Sequence, residues 1–220
     1  MTTTLVIGAN RGIGLEMAKC FKARGDTVIA ACRKSGDALP KLGVEIVEAI
    51  DVASPASAAA LTKAIGDRSL DVVVIAAGIL KRVDLETFDE AAIREQFEVN
   101  ALGPLRLARA VLPRVARDGK IAFLTSRMGS IGDNSSGSHY GYRMSKAALN
   151  AGGKSLAIDV RDRGISVVLL HPGYVQTDMT GGRGDVDAAE SAARLVARID
   201  ALGIETTGGF LHADGTTLPW

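Results

Sequence analysis

Short apolar runs alternate with amphipathic stretches along almost the whole 220-residue chain. The runs consist mainly of Val, Ile, Leu and Ala without regular polar alternation, which is typical of strands buried on both faces. They predict strands at residues 4–7, 27–32, 44–47, 71–76, 120–125, 165–170 and 209–212. The stretches between them have helical spacing, which predicts helices at residues 12–24, 54–65, 88–117, 140–163 and 187–202. A kink is expected in the third of these helices at Gly103-Pro104.

This alternation of buried strands and helices predicts the fold class. Continuous apolar strands need cover on both faces, and helical crossovers between parallel strands supply that cover. We therefore expect an α/β fold, a doubly wound (Rossmann) and mostly parallel sheet of about seven strands with helices on both faces. Because the chain shows neither an internal repeat nor a linker, the prediction is a single domain over residues 1–220.

Composition and charge exclude several classes of function. The formal net charge is +1 and no long run of Lys or Arg occurs, so a nucleic-acid partner is not expected. No apolar run approaches the length of a membrane span, and residues 1–5 lack the basic start of a signal peptide, so we expect a cytoplasmic protein. Cys20 and Cys32 form no metal-ligand pattern and are expected in the core.

A glycine-rich loop joins the first predicted strand to the first predicted helix. Its sequence, Gly8-Ala-Asn-Arg-Gly-Ile-Gly14, has the spacing GxxxGxG. Glycine lets the backbone turn tightly and lets a phosphate approach, and the helix end offers free N–H groups. A tight turn without a ligand is the alternative. The position at the first strand–helix turn of a doubly wound sheet favours a nucleotide site.

The end of the second predicted strand indicates which nucleotide. A site that prefers NAD needs a carboxylate there for the ribose hydroxyls, and none occurs between Asp26 and Asp37. Arg33 is suited to a 2′-phosphate instead, because its guanidinium is planar and bidentate, and Arg11 adds a second cation. The sequence therefore favours NADP(H), the alternative being that Arg33 and Lys34 are a solvated pair.

Tyr142 and Lys146 are four residues apart in a predicted helix, so their side chains share a face. A free tyrosine has a pKa of about 10, and a neighbouring ammonium is expected to lower it. Such a tyrosine could protonate an alkoxide as it forms from a carbonyl. The alternative is an amphipathic tyrosine beside an exposed lysine. Ser126, at the end of the fifth strand, and Asn100, which interrupts a helix, are further candidates.

With these residues in order, the chain resembles the short-chain dehydrogenase/reductase family over nearly its whole length. Asn100, Ser126, Tyr142 and Lys146 match the family's catalytic tetrad, and the glycine loop matches its GxxxGxG element. Within the family the chain is most similar to the small C-factor and sniffer-like carbonyl reductases. The resemblance implies that Tyr142 is the general acid–base, that Lys146 lowers its pKa and holds the nicotinamide ribose, that Ser126 positions the substrate oxygen, and that Asn100 anchors a water path.

The resemblance also implies a cofactor site for NADP(H), and no metal site is expected, since the cysteines form no metal-ligand pattern. Asp51-Val52 resembles the family's adenine contact, Ala76 to Gly78 its element after the fourth strand, and Pro172 to Thr177 its PGxxxT element. The implied cofactor residues are Gly8, Asn10, Arg11, Gly12, Ile13, Gly14, Arg33, Asp51, Val52, Ala76, Ala77, Gly78, Asn100, Tyr142, Lys146, Pro172, Gly173, Val175 and Thr177. The family commonly pairs through two helices, which implies a homodimer, and a monomer stays open.

The chain departs from the family's pattern at three points. Ile7 stands where threonine is usual, and Ile75 or Ala76 stands where asparagine is usual; both changes touch the cofactor loops. Ser126 lies 16 positions before Tyr142, more than is common in the family. Ser130 is therefore an alternative catalytic serine.

The sequence thus predicts a reductase or dehydrogenase acting on a small carbonyl or alcohol. The segment 178–186 is short for a substrate lid and rich in glycine, which predicts an open site that accepts several aldehydes and ketones. A non-enzymatic NADP(H)-binding sensor or signalling protein of the same fold is the alternative, since a fold does not determine function.

Overall fold

The computed structural model describes all 220 residues. Its strands are β1 Thr3–Ile7, β2 Thr27–Ala31, β3 Glu45–Val47, β4 Leu70–Ile75, β5 Val115–Leu124, β6 Ser166–His171 and β7 Gly209–His212. They form one sheet in the order β3-β2-β1-β4-β5-β6-β7, and every neighbouring pair is parallel. The predicted fold class, a doubly wound parallel sheet of seven strands, is confirmed.

Six helices cover the two faces of the sheet. They are α1 Gly12–Ala23, α2 Ala56–Ile65, α3 Glu90–Phe97, α4 Gly103–Val111, α5 Tyr140–Asp159 and α6 Ala188–Asp200. Helices α1 and α6 bury their apolar sides with Val6 on one face, while α2, α4 and α5 pack with Leu5 and Ile7 on the other. This alternation along β1 explains why the strands contain few polar residues. None of these helices is long and apolar enough to cross a membrane.

The predicted helix over residues 88–117 is irregular beside the expected kink at Gly103-Pro104, and its predicted end is wrong, because β5 already begins at Val115. It consists of α3, a wide π-helical turn at Glu98–Leu102, α4, and a 3-10 turn at Leu112–Arg114. The wide turn lies directly before Gly103-Pro104, where the missing proline N–H interrupts the regular hydrogen-bond ladder. At Gly103 the helix also packs closely against the loop that follows β3. A Cβ on Gly103 would lie 2.3 Å from the Val52 carbonyl oxygen.

The fifth strand begins at Val115, five residues before the predicted start at residue 120. Its pairing with β4 shifts register, since Leu70 pairs with Val115 whereas Val72 pairs with Lys120. Asp118 has a left-handed φ of 64° in this bulge. The polar residues 117 and 118 therefore belong to a bulged strand, and an alternation rule cannot find a strand of that kind.

The sheet order creates a crevice at the carboxyl ends of β1 and β4. From β1 the chain moves outward to β2 and β3, then returns to place β4 on the other side of β1. The loops that follow β1 and β4 leave in opposite directions, and open α/β sheets bind their ligands at this point. Every predicted site loop, including residues 127–139 and 178–186, follows a strand at this same edge.

Candidate active site

Two glycines of the loop after β1 are required by close backbone packing. A Cβ on Gly14 would lie 2.2 Å from the Gly8 carbonyl oxygen, and a Cβ on Gly8 would lie 2.7 Å from the Ala77 amide nitrogen. Gly12 differs, since its nearest neighbour would be the Thr177 methyl carbon at 3.6 Å. Gly8 and Gly14 thus allow the close backbone contacts of the loop, whereas Gly12 leaves space free between the loop and Thr177.

Helix α1 begins at this loop without a side-chain cap. Arg11 occupies the N-cap position in an extended conformation, and no side chain accepts a hydrogen bond from the first turn. The first N–H groups of a helix have no partner within the helix, and the helix dipole places partial positive charge there. This end of α1 is therefore suited to an anion such as a pyrophosphate.

The crevice holds a cleft of about 730 Å³, large enough for a dinucleotide. Most of the predicted cofactor residues line it together: Gly8, Asn10, Arg11, Gly12, Ile13, Gly14, Arg33, Asp51, Val52, Ala76, Ala77, Gly78 and Thr177. The predicted residues outside its wall are Asn100, Tyr142, Lys146, Pro172, Gly173 and Val175. The glycine cradle, the uncapped helix end and the cleft volume all fit a nicotinamide dinucleotide.

The two predicted phosphate-binding arginines differ in their partners. Arg33 lies at the edge of the cleft and forms neither an ion pair nor a side-chain hydrogen bond within the protein. Arg11 forms an ion pair with Asp178, with 3.0 Å between Nη1 and Oδ2. Sequence reasoning missed Asp178 as a residue of the cleft, because no local pattern relates positions 167 apart.

Ser126, and not Ser130, lies beside the Tyr142 phenol. The Ser126 hydroxyl hydrogen-bonds to Tyr142 and also accepts from the Met128 amide at 3.1 Å. The Ser130 hydroxyl is buried and accepts from the Asp133 amide at 3.1 Å, which fixes the following loop. The geometry therefore favours Ser126 of the two serines that the sequence left open.

The expected lowering of the pKa of Tyr142 is wrong for this structure. Burial raises the pKa of Tyr142 to about 12, and the hydrogen bond from Ser126 opposes that rise only in part. The Lys146 ammonium is 5.8 Å from the centre of the Tyr142 ring and donates to the Leu124 carbonyl oxygen at 2.9 Å. The two side chains share a helix face as expected, but burial dominates over the charge of the lysine.

Burial also lowers the pKa of Lys146, to about 8. An ammonium taken out of water loses hydration, and one carbonyl hydrogen bond from Leu124 replaces only part of it. Lys146 can therefore change its charge near neutral pH, which an exposed lysine does not do.

Asn100 is fully buried in the wide turn between α3 and α4. Its amide accepts from the Ile79 N–H and donates to the Ile79 carbonyl, both at 2.8 Å, and it also donates to the Ser145 hydroxyl at 3.0 Å. It thus ties the loop after β4 to the helix that carries Tyr142. Sequence reasoning identified Asn100 but missed Ile79, whose contribution is made by backbone atoms alone.

Gly78 separates the cleft from the buried polar groups. A Cβ at this position would lie 3.2 Å from Asn100 Oδ1 and 3.6 Å from Lys146 Nζ. A side chain here would fill the space between the cleft and these two polar groups. Because Gly78 lines the cleft, the cleft comes within reach of Asn100 and Lys146.

The elements after β6 place their residues at the far side of the site. Gly173 has a φ of 93°, and the Pro172 carbonyl accepts from the Ser191 hydroxyl at 2.8 Å. Val175 is buried and bridges to Val186, which closes the base of the 178–186 segment. These residues shape the loop that brings Thr177 to the cleft.

The buried lysine predicts a pH dependence of stability. The folded-state pKa of Lys146 is about 8 and its unfolded value 10.5, so between these values the unfolded chain binds more protons and stability rises with pH. We expect the free energy of unfolding to increase by about 2 kcal/mol from pH 7 to pH 9.5 through this group. Urea unfolding at pH 7 and at pH 9.5 measures this difference in the free energy of unfolding. Lys146→Met should remove this increment, and equal slopes for the two proteins would contradict it.

The chain is similar to known proteins in both sequence and fold. The family model described as short chain dehydrogenase matches residues 2–188. A curated relative, the 1-hydroxy-2-glutathionyl-2-methyl-3-butene dehydrogenase of a Rhodococcus species, is 41% identical, with all of both chains covered. Two solved structures share the fold over the whole chain. Carbonyl reductase Sniffer of D. melanogaster has a TM-score of 0.91 and 31% identity, with its own chain fully covered. An NADPH-bound carbonyl reductase from chicken fatty liver has a TM-score of 0.90 and 30% identity, with 99% of it covered.

Proposed function

Since the chain belongs to the short-chain dehydrogenase family, we propose that it is an NADP(H)-dependent oxidoreductase of the carbonyl reductase type. It transfers a hydride between nicotinamide and a carbonyl or alcohol, with Tyr142 as the general acid–base. The observation that carries the proposal is the buried cluster of Ser126, Tyr142 and Lys146 beside a dinucleotide-sized cleft. Solved relatives that bind NADPH support the choice of cofactor.

The residues of the cleft divide the binding of the cofactor between them. The uncapped end of α1 and the Gly8–Gly14 loop hold the pyrophosphate, Asp51 and Val52 contact the adenine, and Arg33 binds the 2′-phosphate. Pro172, Gly173, Val175 and Thr177 form the wall at the nicotinamide end. When bound, the nicotinamide supplies or accepts the hydride.

The protonation state of Tyr142 sets its role in carbonyl reduction. With a pKa of about 12 the phenol is protonated at neutral pH, so it can donate its proton to the oxygen of the forming alkoxide. Ser126 holds the substrate oxygen beside that phenol. Lys146 binds the ribose next to the nicotinamide, and its charge stabilises the phenolate after the proton has left.

Asn100 is a positioning residue in this scheme. Its amide joins the Ile79 backbone to Ser145, and its oxygen faces Lys146 across Gly78. We propose that it anchors a water path through which Lys146 and Tyr142 are reprotonated. This path would reach the cleft at Gly78, where the absence of a side chain leaves space beside Asn100 and Lys146.

The substrate is a small or medium-sized carbonyl or alcohol compound. The 178–186 segment is exposed over most of its length, which supports an open site that accepts several substrates. The Rhodococcus relative is named for a glutathionyl alcohol, so a test panel should contain such a conjugate beside simple aldehydes and ketones. Turnover of several panel members supports the open site, and turnover of one alone contradicts it.

Arg33→Ala is expected to raise the Kd for NADPH about 10- to 100-fold, because a charged hydrogen bond to phosphate contributes about 1.5–3 kcal/mol. The Kd for NADH should change less than about 2-fold, since NADH has no 2′-phosphate. Fluorescence titration of the purified protein measures both constants.

Lys34→Ala is the matched control for that experiment. Lys34 is the next residue, carries the same charge and does not line the cleft. Its replacement should leave both constants nearly unchanged. An equal loss in the two variants, or none in Arg33→Ala, would contradict the assignment of the 2′-phosphate to Arg33.

Turnover of any carbonyl that depends on Tyr142 distinguishes this proposal from a sensor or signalling protein, which would bind NADPH without turnover. The single domain over residues 1–220, the homodimer and the cytoplasmic location stay predictions of the sequence. Sedimentation tests the oligomeric state directly.

A further inference from the structure

One side-chain hydrogen bond joins residues 178–184 to the part of the protein outside residues 174–186. At its base, Gln176 donates to the Val186 carbonyl and Asp185 to the Tyr174 carbonyl through backbone amides. The other hydrogen bonds of residues 178–184 stay within residues 174–186. The ion pair between Arg11 and Asp178 is the single hydrogen bond from residues 178–184 to the remaining chain.

This ion pair spans the mouth of the cleft. Arg11 belongs to the glycine loop on one side, Asp178 starts the 178–186 segment on the other, and both line the cleft. The next residue inward, Thr177, has its methyl group 3.6 Å from the position of a Cβ on Gly12. Formation or loss of the ion pair with Arg11 at Asp178 is therefore expected to move the adjacent Thr177 relative to the glycine loop.

The pair is built so that another anion can displace it. The side chains are 66% and 78% exposed, and ion pairs as exposed as this are weak. The Arg11 guanidinium carries one positive charge, whereas a phosphate monoester carries close to two negative charges at neutral pH. A phosphate that reached Arg11 would meet the Asp178 carboxylate at close range, and the two anions would repel each other.

We propose that Asp178 competes with the 2′-phosphate of the cofactor for Arg11. The inference rests on the proposed function. Asp178 thereby lowers the affinity for 2′-phosphorylated nucleotides, and phosphate binding releases the 178–186 segment from the glycine loop. The binding of NADP(H) is in this way coupled to release of the 178–186 segment from the glycine loop.

The test measures binding of 2′,5′-ADP and 5′-AMP, which differ in the 2′-phosphate, by calorimetry. Asp178→Asn should lower the Kd for 2′,5′-ADP about 2- to 5-fold, the range expected for removal of an exposed ion pair, and leave that for 5′-AMP unchanged. Asp185→Asn is the matched control: Asp185 lies in the same exposed segment, loses the same charge and has no side-chain partner. It should change neither constant.

Two further measurements separate competition from a general charge effect. In an Arg11→Gln background, Asp178→Asn should no longer change the Kd for 2′,5′-ADP, because the shared cation is gone. Hydrogen exchange of the amides of residues 178–184 should become faster with 2′,5′-ADP and not with 5′-AMP.

The outcomes identify which claim fails. Weaker binding of 2′,5′-ADP to Asp178→Asn, or an equal change in Asp185→Asn, would overturn the competition. If the wild-type protein binds 2′,5′-ADP no better than 5′-AMP, the proposed NADP(H) specificity fails first, and this inference fails with it.

Discussion

Tyr142→Phe is expected to lower kcat for carbonyl reduction about 10²- to 10⁴-fold, the range for loss of a general acid. The phenol is the acidic group beside Ser126, and phenylalanine keeps the ring in its buried place while removing the proton. The Kd for NADPH should change little, because the cleft is lined by other residues. Steady-state assays and a fluorescence titration of the same preparation measure the two effects.

Tyr140→Phe is the matched control. Tyr140 starts the same helix and makes an edge contact with Phe88, with ring centres 6.3 Å apart, away from Ser126. Its replacement should leave kcat within about 2-fold, as for surface changes remote from the chemistry. If Tyr142→Phe retained wild-type turnover, or if both variants lost it equally, Tyr142 would not be the acid.

Gly14→Ala is expected to destabilise the protein by about 3 kcal/mol or more, at the upper end for overpacked sites. The added methyl group would lie 2.2 Å from the Gly8 carbonyl oxygen, and a backbone atom cannot move away as a flexible side chain could. For a domain of this size the melting temperature should fall by roughly 6–12 °C. Affinity for NADPH should fall as well, since the displaced loop carries the pyrophosphate site.

Gly203→Ala gives the comparison, because this glycine has an ordinary negative φ of −137° and a Cβ there would meet nothing within 4 Å. Thermal unfolding should show a change within about 0.5 kcal/mol. A Gly14→Ala variant as stable as Gly203→Ala would mean that the close packing of the loop is not required.

The fold could be predicted from the sequence because its strongest signals are local. Each strand is an apolar run. Gly25, after α1, and Gly164, after the 3-10 turn Arg161–Arg163 that follows α5, have the left-handed φ values expected of helix stops. The bulged start of β5 escaped prediction, since the register shift opposite Leu70 and Val72 depends on a partner strand. The wide turn at Asn100 was noticed only as a helix interruption, because its hydrogen bonds go to Ile79, 21 residues away.

The candidate site could be predicted less completely than the fold. The spacing of Tyr142 and Lys146 correctly indicated a shared helix face, but spacing contains no information about burial. Burial raises the pKa of Tyr142 and lowers that of Lys146, and the ammonium finds its partner at Leu124, 22 residues before it. The pairing of Arg11 with Asp178 is likewise a property of the folded chain, visible only once the two loops meet at one sheet edge.

The choice between Ser126 and Ser130 shows what the structure adds to a motif. Counting positions from Tyr142 left both serines open, since the loop between them and the helix has no fixed length. In the fold, Ser130 is used to hold Asp133 while Ser126 is beside the phenol. Both hydroxyls accept a hydrogen bond from a nearby backbone amide, so the contact with the Tyr142 phenol is what distinguishes Ser126 from Ser130.

The central claim is that this chain transfers a hydride from NADPH to a carbonyl carbon. Reduction of a mixed aldehyde and ketone panel with NADPH that carries deuterium at both C4 positions of the nicotinamide tests it most directly. The account predicts alcohol products with one deuterium on the former carbonyl carbon, formed by the wild-type protein and by Tyr140→Phe, and reduced by orders of magnitude in Tyr142→Phe. Binding of NADPH without deuterium in any product, across a panel that includes a glutathionyl carbonyl, would contradict it.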